Sequence, residues 1–141
     1  MTARTLVVGY DGSDCAHAAL EEAISLAQRT GDRIVIGFGY DPGGPGEEYR
    51  VVRDEVKRFG ERATQPAVDR TKEAGVEATV ELVPERPVEA LLALGDEHDA
   101  RAIVVGSSGE SLIKGAILGS TPHKLLQVSK RPVLVVPVRE G

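Results

Sequence analysis

The sequence predicts an α/β protein with a single doubly wound domain, and three features carry that prediction. Short runs of β-branched and aliphatic residues alternate with longer segments whose apolar residues recur every three or four positions. The chain has 141 residues, which is the size of one domain. We find no internal repeat, low-complexity tract or second domain within residues 1–141. This alternation is typical of a parallel sheet with helices on both faces and right-handed crossovers.

The first strand and the first helix are the clearest elements. The run TLVVGY (5–10) is continuously apolar, as expected for a strand that is buried on both faces. After the turn YDGSD, apolar residues that include Leu20 and Ile24 recur at helical spacing. Ser13 is placed to cap the start of this helix with its hydroxyl, and Gly31 is placed to end it.

A second strand and a long charged helix come next. RIVIGFGY (33–40) has the composition of a buried strand, and the Pro- and Gly-rich stretch DPGGPGEEYR after it predicts a loop. A charged helix is expected from about residue 48 to residue 74. Its apolar face comprises Val52, Val56 and Phe59. We expect Pro66 to kink or break this helix, because proline has no backbone N–H to donate.

The second half of the chain completes the alternation with three strands and two helices. VEATVELV (76–83) alternates apolar and polar residues, which predicts a strand with one wetter face, at an edge of the sheet. Pro87 opens a helix, and RAIVVG (101–106) is a fourth, buried strand. A short helix follows Ser120, and PVLVVPV (132–138) is the fifth strand.

The composition argues against several classes of function. The formal net charge is −5 and no cluster of Lys and Arg is present, so the chain would repel nucleic acids and anionic membranes. No apolar run approaches the length that spans a bilayer, and the first residues lack the features of a secretory signal. Cys15 is the only cysteine, so no internal disulfide can form. We therefore expect a cytoplasmic protein without a nucleic-acid or membrane partner.

Two polar, loop-rich segments follow the first and fourth predicted strands. Doubly wound sheets bind ligands outside the carboxyl ends of their strands, where the strand order reverses. If the order here is 3-2-1-4-5, that point lies between strands one and four. The two strands lead into YDGSD (10–14) and GSSGESLIKGAILGST (106–121), which would then face each other.

The second of these segments places three glycines before a Ser-Thr pair. Gly106 and Gly109 would let the backbone approach a ribose and phosphates without Cβ clashes. Gly119 and Ser120 would open the last helix, whose free N–H groups and positive dipole end favour an anion. The same residues are equally compatible with a surface loop that Ser120 caps, and the residues alone leave both interpretations open.

These motifs together resemble the universal stress protein family over essentially the whole chain. VVGYDGSDCAHAALEEA is similar to the family's first strand, Asp-Gly-Ser turn and Ala-rich helix. AIVVGSSG, LGST and KRPVLVVP are similar to its C-terminal signature, and the spacing G-x2-G-x9-G-[S/T] matches the family's ATP-binding pattern. The resemblance implies a flavodoxin-like sheet of five strands in the order 3-2-1-4-5, with about four helices. It also implies an ATP-binding stress-response regulator that acts through nucleotide-dependent dimer and partner contacts.

The resemblance also implies ligand roles for individual residues. Asp11 would contact the ribose or a phosphate-bound Mg²⁺, with Gly9 lining the pocket beside it and Gly39 at the adenine edge. The residues implied to hold ribose and phosphates are Gly106, Gly109, Gly119 and Ser120, with a backbone contact from Thr121. ATP or another adenine nucleotide is the implied cofactor, and a homodimer through the last strand, Val133 to Val138, is the implied assembly.

The chain departs from the family pattern at three points. Gly39 stands where a small aliphatic residue usually contacts adenine. Thr121 and Pro122 replace a more usual Val-Ser pair, and Pro122 removes one N–H from the helix start. Lys114 is the only basic residue in the loop that could neutralise phosphate charge.

An enzymatic role has little support in the sequence. Neither a P-loop nor the signatures H-x-G-H and S-G-G-x-D-S of nucleotide-using relatives is present, and no His, Cys or carboxylate cluster has metal-ligand spacing. We expect a protein that is not an enzyme, with slow Mg-dependent ATP hydrolysis or a nucleotide-independent dimeric module as the alternatives. Plainer roles also stand: Asp11 as a turn brace, Cys15 as a packed side chain and His123 as a solvated one.

Overall fold

A computed structural model describes residues 3–44, 46–108 and 118–138. In this part of the chain, strands and helices alternate as the sequence predicts. They are β1 (Thr5–Gly9), α1 (Asp14–Thr30), β2 (Arg33–Gly39), α2 (Glu47–Glu73), β3 (Ala78–Val83), α3 (Pro87–Glu97), β4 (Ala102–Gly106), α4 (Ser120–Val128) and β5 (Val133–Val136). No helix among these residues is both long and apolar enough to cross a membrane.

The strands form one parallel sheet in the order β3-β2-β1-β4-β5, which confirms the predicted topology. β1 pairs with β2 on one side and with β4 on the other. The chain therefore places β2 and β3 on one side of β1, and then β4 and β5 on the other side. This reversal opens a crevice beyond the carboxyl ends of β1 and β4.

The buried residues divide into two clusters, one on each face of the sheet. Within β1, Leu6 and Val8 pack under α1 and α2, whereas Val7 lies between them in sequence and packs under α3 and α4. All three side chains are at most 1% exposed. Burial on both faces explains why this strand is a continuous apolar run without polar alternation.

Both ends of α1 are capped as the sequence predicts. The Ser13 hydroxyl accepts a hydrogen bond from the N–H of Ala16 at 3.1 Å. Gly31 adopts a left-handed conformation with φ of 78° and donates its N–H to the carbonyl of Ala27. These two caps fix where the chain enters the helix from β1 and where it leaves for β2.

The expected break in α2 at Pro66 is wrong, because the helix runs continuously from Glu47 to Glu73. Pro66 lies on the exposed side of the helix, and so does Arg62, whose carbonyl loses its usual N–H partner. That carbonyl can bond to water instead. The residues that α2 buries follow Phe59 in the sequence: Gly60, Thr64, Ala67, Val68 and Thr71. Val52 and Phe59 of the predicted apolar face are 44% and 42% exposed.

Asp32 joins the amino-terminal ends of several strands. Its fully buried carboxylate accepts hydrogen bonds from Arg101 Nε at 2.6 Å and Arg101 Nη2 at 3.0 Å. It also accepts one from the backbone N–H of Arg4 at 2.8 Å. The hydrogen bonds from Arg101 lower the pKa of Asp32 below its usual value of 3.8 and outweigh the burial, which would raise it. β1, β2 and β4 are thus linked at the edge opposite the crevice.

Replacing Asp32 with Asn should lower the free energy of unfolding by about 2 kcal/mol near neutral pH, because hydrogen bonds to a buried charge are lost. Since the folded pKa of Asp32 lies below the unfolded value of 3.8, its contribution is present above that value. The contribution is lost as the pH falls through the folded pKa. Below pH 3.8, the free energy of unfolding of the variant should therefore fall less steeply with decreasing pH than that of the parent. Urea denaturation at several pH values measures this difference.

The matched control for this prediction is Glu21→Gln. Glu21 pairs with Arg70 at 2.8 Å, but both side chains are more than a third exposed. Such pairs contribute roughly 0.2–1 kcal/mol. Equal destabilisation by the two substitutions would contradict the role of Asp32 as an anchor of the sheet.

Candidate functional site

A cleft of about 260 Å³ lies beyond the carboxyl ends of β1, β2 and β4. It is near the lower end of the volume that small-molecule pockets occupy. The structure brings together at this cleft all but one of the residues that the resemblance singled out. They are Gly9, Asp11, Gly39, Gly106, Gly119, Ser120 and Thr121. Gly109 lies outside the described residues.

Apolar side chains from both faces of the sheet contribute to the lining of the cleft. Phe38, Leu91 and Val105 line it together with Tyr10 and Pro87. Burial raises the pKa of Tyr10, and the nearby charge of Asp11 adds to this effect. Tyr10 therefore stays a neutral phenol at physiological pH. These side chains offer apolar surface against which a flat heteroaromatic ring could pack.

The start of α4 also lines the cleft and contributes polar groups to it. The N–H of Gly119, which precedes the helix, donates to the carbonyl of Ser107 at 2.7 Å. This bond ties the start of α4 to the residues that leave β4. Ser120 is exposed and Thr121 is partly exposed at the cleft, while Pro122 is buried. Ser120 is the first residue of the helix and Gly119 is its cap, so the expected capping by the Ser120 hydroxyl is not what the structure shows.

Asp11 braces the turn between β1 and α1. One carboxylate oxygen, Oδ1, accepts a hydrogen bond from the N–H of Ser13 at 3.0 Å. Gly12 between them has a φ of 85°, which favours glycine. The bracing role foreseen for Asp11 is thus present in the structure. It leaves the second oxygen of a carboxylate that lines the cleft.

The glycines around the cleft are required by close contacts of the protein with itself. A Cβ on Gly106 would lie 2.5 Å from the backbone C and O atoms of Cys15 in the first turn of α1. A Cβ on Gly119 would lie 2.9 Å from Cα of Ser108, and a Cβ on Gly39 would lie 2.7 Å from the carbonyl oxygen of Glu85. Each of these neighbours is backbone, so it cannot rotate away. Glycine is therefore needed at these positions whether or not a ligand is bound.

Sequence reasoning did not identify several residues that line the cleft. Gly37, Leu91, Val105 and Ser108 belong to the lining, and Pro87 was noted only as a helix start. The position of Gly37 at the cleft could have been inferred from the sequence, because the carboxyl ends of neighbouring strands in a parallel sheet lie on the same side. Leu91 comes from α3, and a helical apolar position gives no sign of which strand end it covers.

Cys15 is half-buried, and its Sγ lies 3.1 Å from Oγ of Ser108. Its backbone packs against Gly106, so the packed role expected for this residue agrees with the structure. His123 is exposed, which agrees with the solvated role expected for it.

The expectation of no metal-type cluster needs correction at the other end of the molecule. Glu81, Glu97 and His98 place one potential ligand atom each within 4.8 Å of one another. Linear spacing could not show this, because Glu81 comes from β3. However, Arg33 Nη2 donates to His98 Nδ1 at 3.2 Å, and Glu81 contacts His98 Nε2. A neutral ring protonated at Nε2 satisfies both contacts without a metal.

Comparisons with known proteins identify a family and a fold. The family model described as "Universal stress protein family" matches residues 2–137. The universal stress protein YxiE of Bacillus subtilis is 33% identical over 93% of this chain and 97% of its own length. The structure of the hypothetical protein MJ0577 covers 100% of both chains with a TM-score of 0.85, and at 17% identity it supports the fold alone. A universal stress protein solved in complex with cAMP is 33% identical, with a TM-score of 0.72 and coverage of 96% of this chain and 98% of that one.

Replacing Gly106 with Ala should destabilise the protein by about 2 kcal/mol or more, because the new methyl group meets the backbone of Cys15. Gly37→Ala is the matched control at the same edge of the sheet. There the nearest atom, at 2.7 Å, is the Cδ1 methyl carbon of Leu94, which can rotate away, so we expect a loss of about 1 kcal/mol or less. Urea denaturation measures both. A smaller loss for Gly106→Ala than for Gly37→Ala would contradict the structural role of Gly106.

Proposed function

The chain belongs to the universal stress protein family, and from that premise we propose that its cleft binds an adenine nucleotide to regulate contacts with partners. The observation that carries this proposal is a cleft at the point where the strand order reverses, lined both by apolar side chains and by the start of a helix. The 33%-identical relative in complex with cAMP supports an adenine nucleotide as the ligand class.

In this proposal the base and the phosphate of the nucleotide occupy different parts of the cleft. The base packs against apolar lining residues such as Leu91 and Val105, with the backbone of Gly39 at its edge. The phosphate lies at the start of α4, where Ser120 and Thr121 offer backbone N–H groups and hydroxyls. We propose that Gly106 and Gly119 contact the ribose and phosphates, as does Gly109, which lies outside the described residues.

Asp11 is the residue that we propose for the ribose or for a nucleotide-bound Mg²⁺. Its Oδ1 is engaged by the N–H of Ser13, so the second oxygen supplies one ligand. Mg²⁺ is commonly held by one or two carboxylates together with substrate phosphates. Asp11 therefore fits a Mg²⁺ that arrives with the nucleotide. When bound, the ion would neutralise phosphate charge.

A regulatory role is favoured over catalysis by the lining of the cleft. Among the described lining residues, none pairs a nucleophile with a base that could activate it. Binding and release of the nucleotide would then be the regulatory signal. Phosphate release from ATP that is linear in time and requires Asp11 would contradict this non-enzymatic role. We place the protein in the cytoplasm, where its nucleotide is available.

We also propose a homodimer through the last strand. β5 is at an edge of the sheet, and its residues are all partly exposed. The carbonyls of Pro132 and Val136 bond to the N–H groups of Ile103 and Ser107, at 2.9 and 3.0 Å. By alternation, the polar groups of Val133 and Val135 point to the free side of β5, where a second copy could pair.

Replacing Ser120 with Asp should weaken nucleotide binding at least tenfold, because a carboxylate then faces the phosphate. An acidic residue in the first turn of a helix is compatible with the helix dipole, so α4 should remain folded. Isothermal titration calorimetry with adenosine monophosphate, cAMP and Mg-ATP measures the effect. Ser120→Asn, which has the same shape without the charge, is the control and should bind within about threefold of the parent.

The contradicting outcomes are distinct. If the Ser120→Asp variant binds every nucleotide with the affinity of the parent, the placement of the phosphate at the start of α4 is contradicted. Absence of binding by the folded parent would remove the proposed function.

Replacing Val135 with Pro should convert the dimer into a monomer, because proline removes the N–H that faces a second copy. Proline is tolerated on edge strands, so the monomer should keep its circular dichroism spectrum. Sedimentation velocity of parent and variant measures the change, with Val135→Ala as the control that keeps the N–H. A parent that sediments as a monomer, or a Val135→Pro variant that stays dimeric, would contradict pairing through β5.

A further inference from the structure

The ring of Phe38 belongs both to the lining of the cleft and to the packing of α2. Phe38 is buried, is the last residue but one of β2 and lines the cleft. Its ring centroid lies 6.1 Å from that of Phe59, with 51° between the two ring planes, which is a favourable aromatic geometry. A Cβ on Gly60 would lie 2.4 Å from Cδ1 of Phe38, so the ring rests directly on the helix backbone. One side chain therefore contacts both α2 and the space that a ligand would occupy.

The first half of α2, residues 47–59, is weakly held by the rest of the protein. The helix has 27 residues and is about 40 Å long, whereas the longest strand of the sheet has 7 residues and spans about 23 Å. None of residues 47–59 is buried, and the residues that anchor the helix in the core begin at Gly60. A helical segment of this length is marginal in water without packing. Its stability therefore depends on the side-chain contacts that it makes with the body of the protein.

These contacts are made with β2 and with the chain that follows it. Besides the contact of Phe59 with Phe38, the Nζ of Lys57 lies 5.4 Å from the centre of the Tyr40 ring. The first half of α2 is thus tied to the carboxyl end of the same strand that contributes Phe38 to the cleft.

We infer that the Phe38 ring couples occupancy of the cleft to the stability of the first half of α2, and that Gly60 positions this ring. The inference rests on the proposed function, because it needs a ligand in the cleft. A ligand can regulate contacts with partners only if its binding favours one state of a surface outside the cleft. A ligand that fixes the Phe38 ring also fixes the surface on which Phe59 packs. By linkage, a change in α2 that alters ligand affinity implies an equal effect of the ligand on α2.

Gly60 acts on the cleft through Phe38 and is not itself among the described lining residues. A methyl group at this position would overlap the Phe38 ring. The helix is held at this point, because the buried Thr64 hydroxyl donates to the carbonyl of Gly60 at 2.7 Å and Ala67 is buried one turn further on. The ring must therefore move when the methyl group is added, and the lining of the cleft changes with it.

Hydrogen–deuterium exchange of the full chain, with and without saturating adenosine monophosphate or Mg-ATP, tests the coupling. We expect bound nucleotide to slow exchange of the amides of residues 51–60 by about threefold or more, because local opening of the first half of α2 becomes less favourable. Residues 64–73 of the same helix are the internal control and should exchange at an unchanged rate. Phe38→Leu keeps an apolar side chain but removes the ring, so saturating nucleotide should no longer slow exchange in residues 51–60.

Calorimetric titration of Gly60→Ala tests the positioning role. Nucleotide affinity should fall by about fivefold or more, although alanine favours a helix more than glycine does. In the Phe38→Leu background the same substitution should change the affinity by less than about twofold, because leucine has no ring and its side chain can turn away from the new methyl group. A purely structural role of Gly60 would not depend on the side chain at position 38.

The matched control is Gly95→Ala, which adds a methyl group to a buried glycine of α3 outside the described lining of the cleft. There the nearest atom to the new Cβ, at 3.0 Å, is Cδ of the flexible Arg131 side chain. This variant should bind nucleotide within about twofold of the parent.

The contradicting outcomes separate the inference from the proposed function. Nucleotide binding without slower exchange in residues 51–60 would overturn the coupling and leave the proposed function in place. A folded Gly60→Ala variant that binds as tightly as the parent, or that loses the same affinity in both backgrounds, would overturn the positioning role. If circular dichroism and urea denaturation show that Gly60→Ala does not fold, Phe38→Leu decides, and unchanged slowing of exchange in that variant overturns the inference. Absence of nucleotide binding by the folded parent would overturn the proposed function and the coupling together.

Discussion

The first turn of α1 rests directly on the backbone of β4 at Gly106, with no room for a Cβ between Gly106 and Cys15. This contact sets the distance between the helix that follows β1 and the strand that forms the other side of the crevice. Ser13 caps the same turn, and Asp11 holds Ser13 from the preceding residues. Because the turn is held from both sides, the carboxylate of Asp11 and the chain leaving β4 keep a defined separation across the cleft.

The amino-terminal ends of the strands carry a stabilising ionic interaction, and the carboxyl ends border the cleft. At the amino-terminal edge, the buried Asp32 carboxylate bonds to Arg101 and to the backbone of Arg4, so three neighbouring strands are linked by a charged group. At the carboxyl edge, the polar groups of Ser120 and Thr121 face the cleft.

Much of the fold was predictable from the sequence, because its signals are local. The caps at Ser13 and Gly31 and the apolar run of β1 each depend on neighbouring residues, and all three are as predicted. The break expected at Pro66 is absent because the carbonyl of Arg62 lies on the exposed side of the helix, which sequence does not show. The contribution of Leu91 to the cleft and the approach of Glu81 to His98 were also out of reach. Both depend on which elements become neighbours in space.

The glycine pattern illustrates a limit of motif reasoning. Gly39, Gly106 and Gly119 are each explained by a backbone atom of the protein that lies less than 3 Å from the position of a Cβ. A chain can therefore keep this pattern in order to build the crevice, whether or not a ligand occupies it. The pattern therefore does not by itself identify a ligand. The pattern thus indicates the shape of the site, and the donors and charges around it determine what the site can hold.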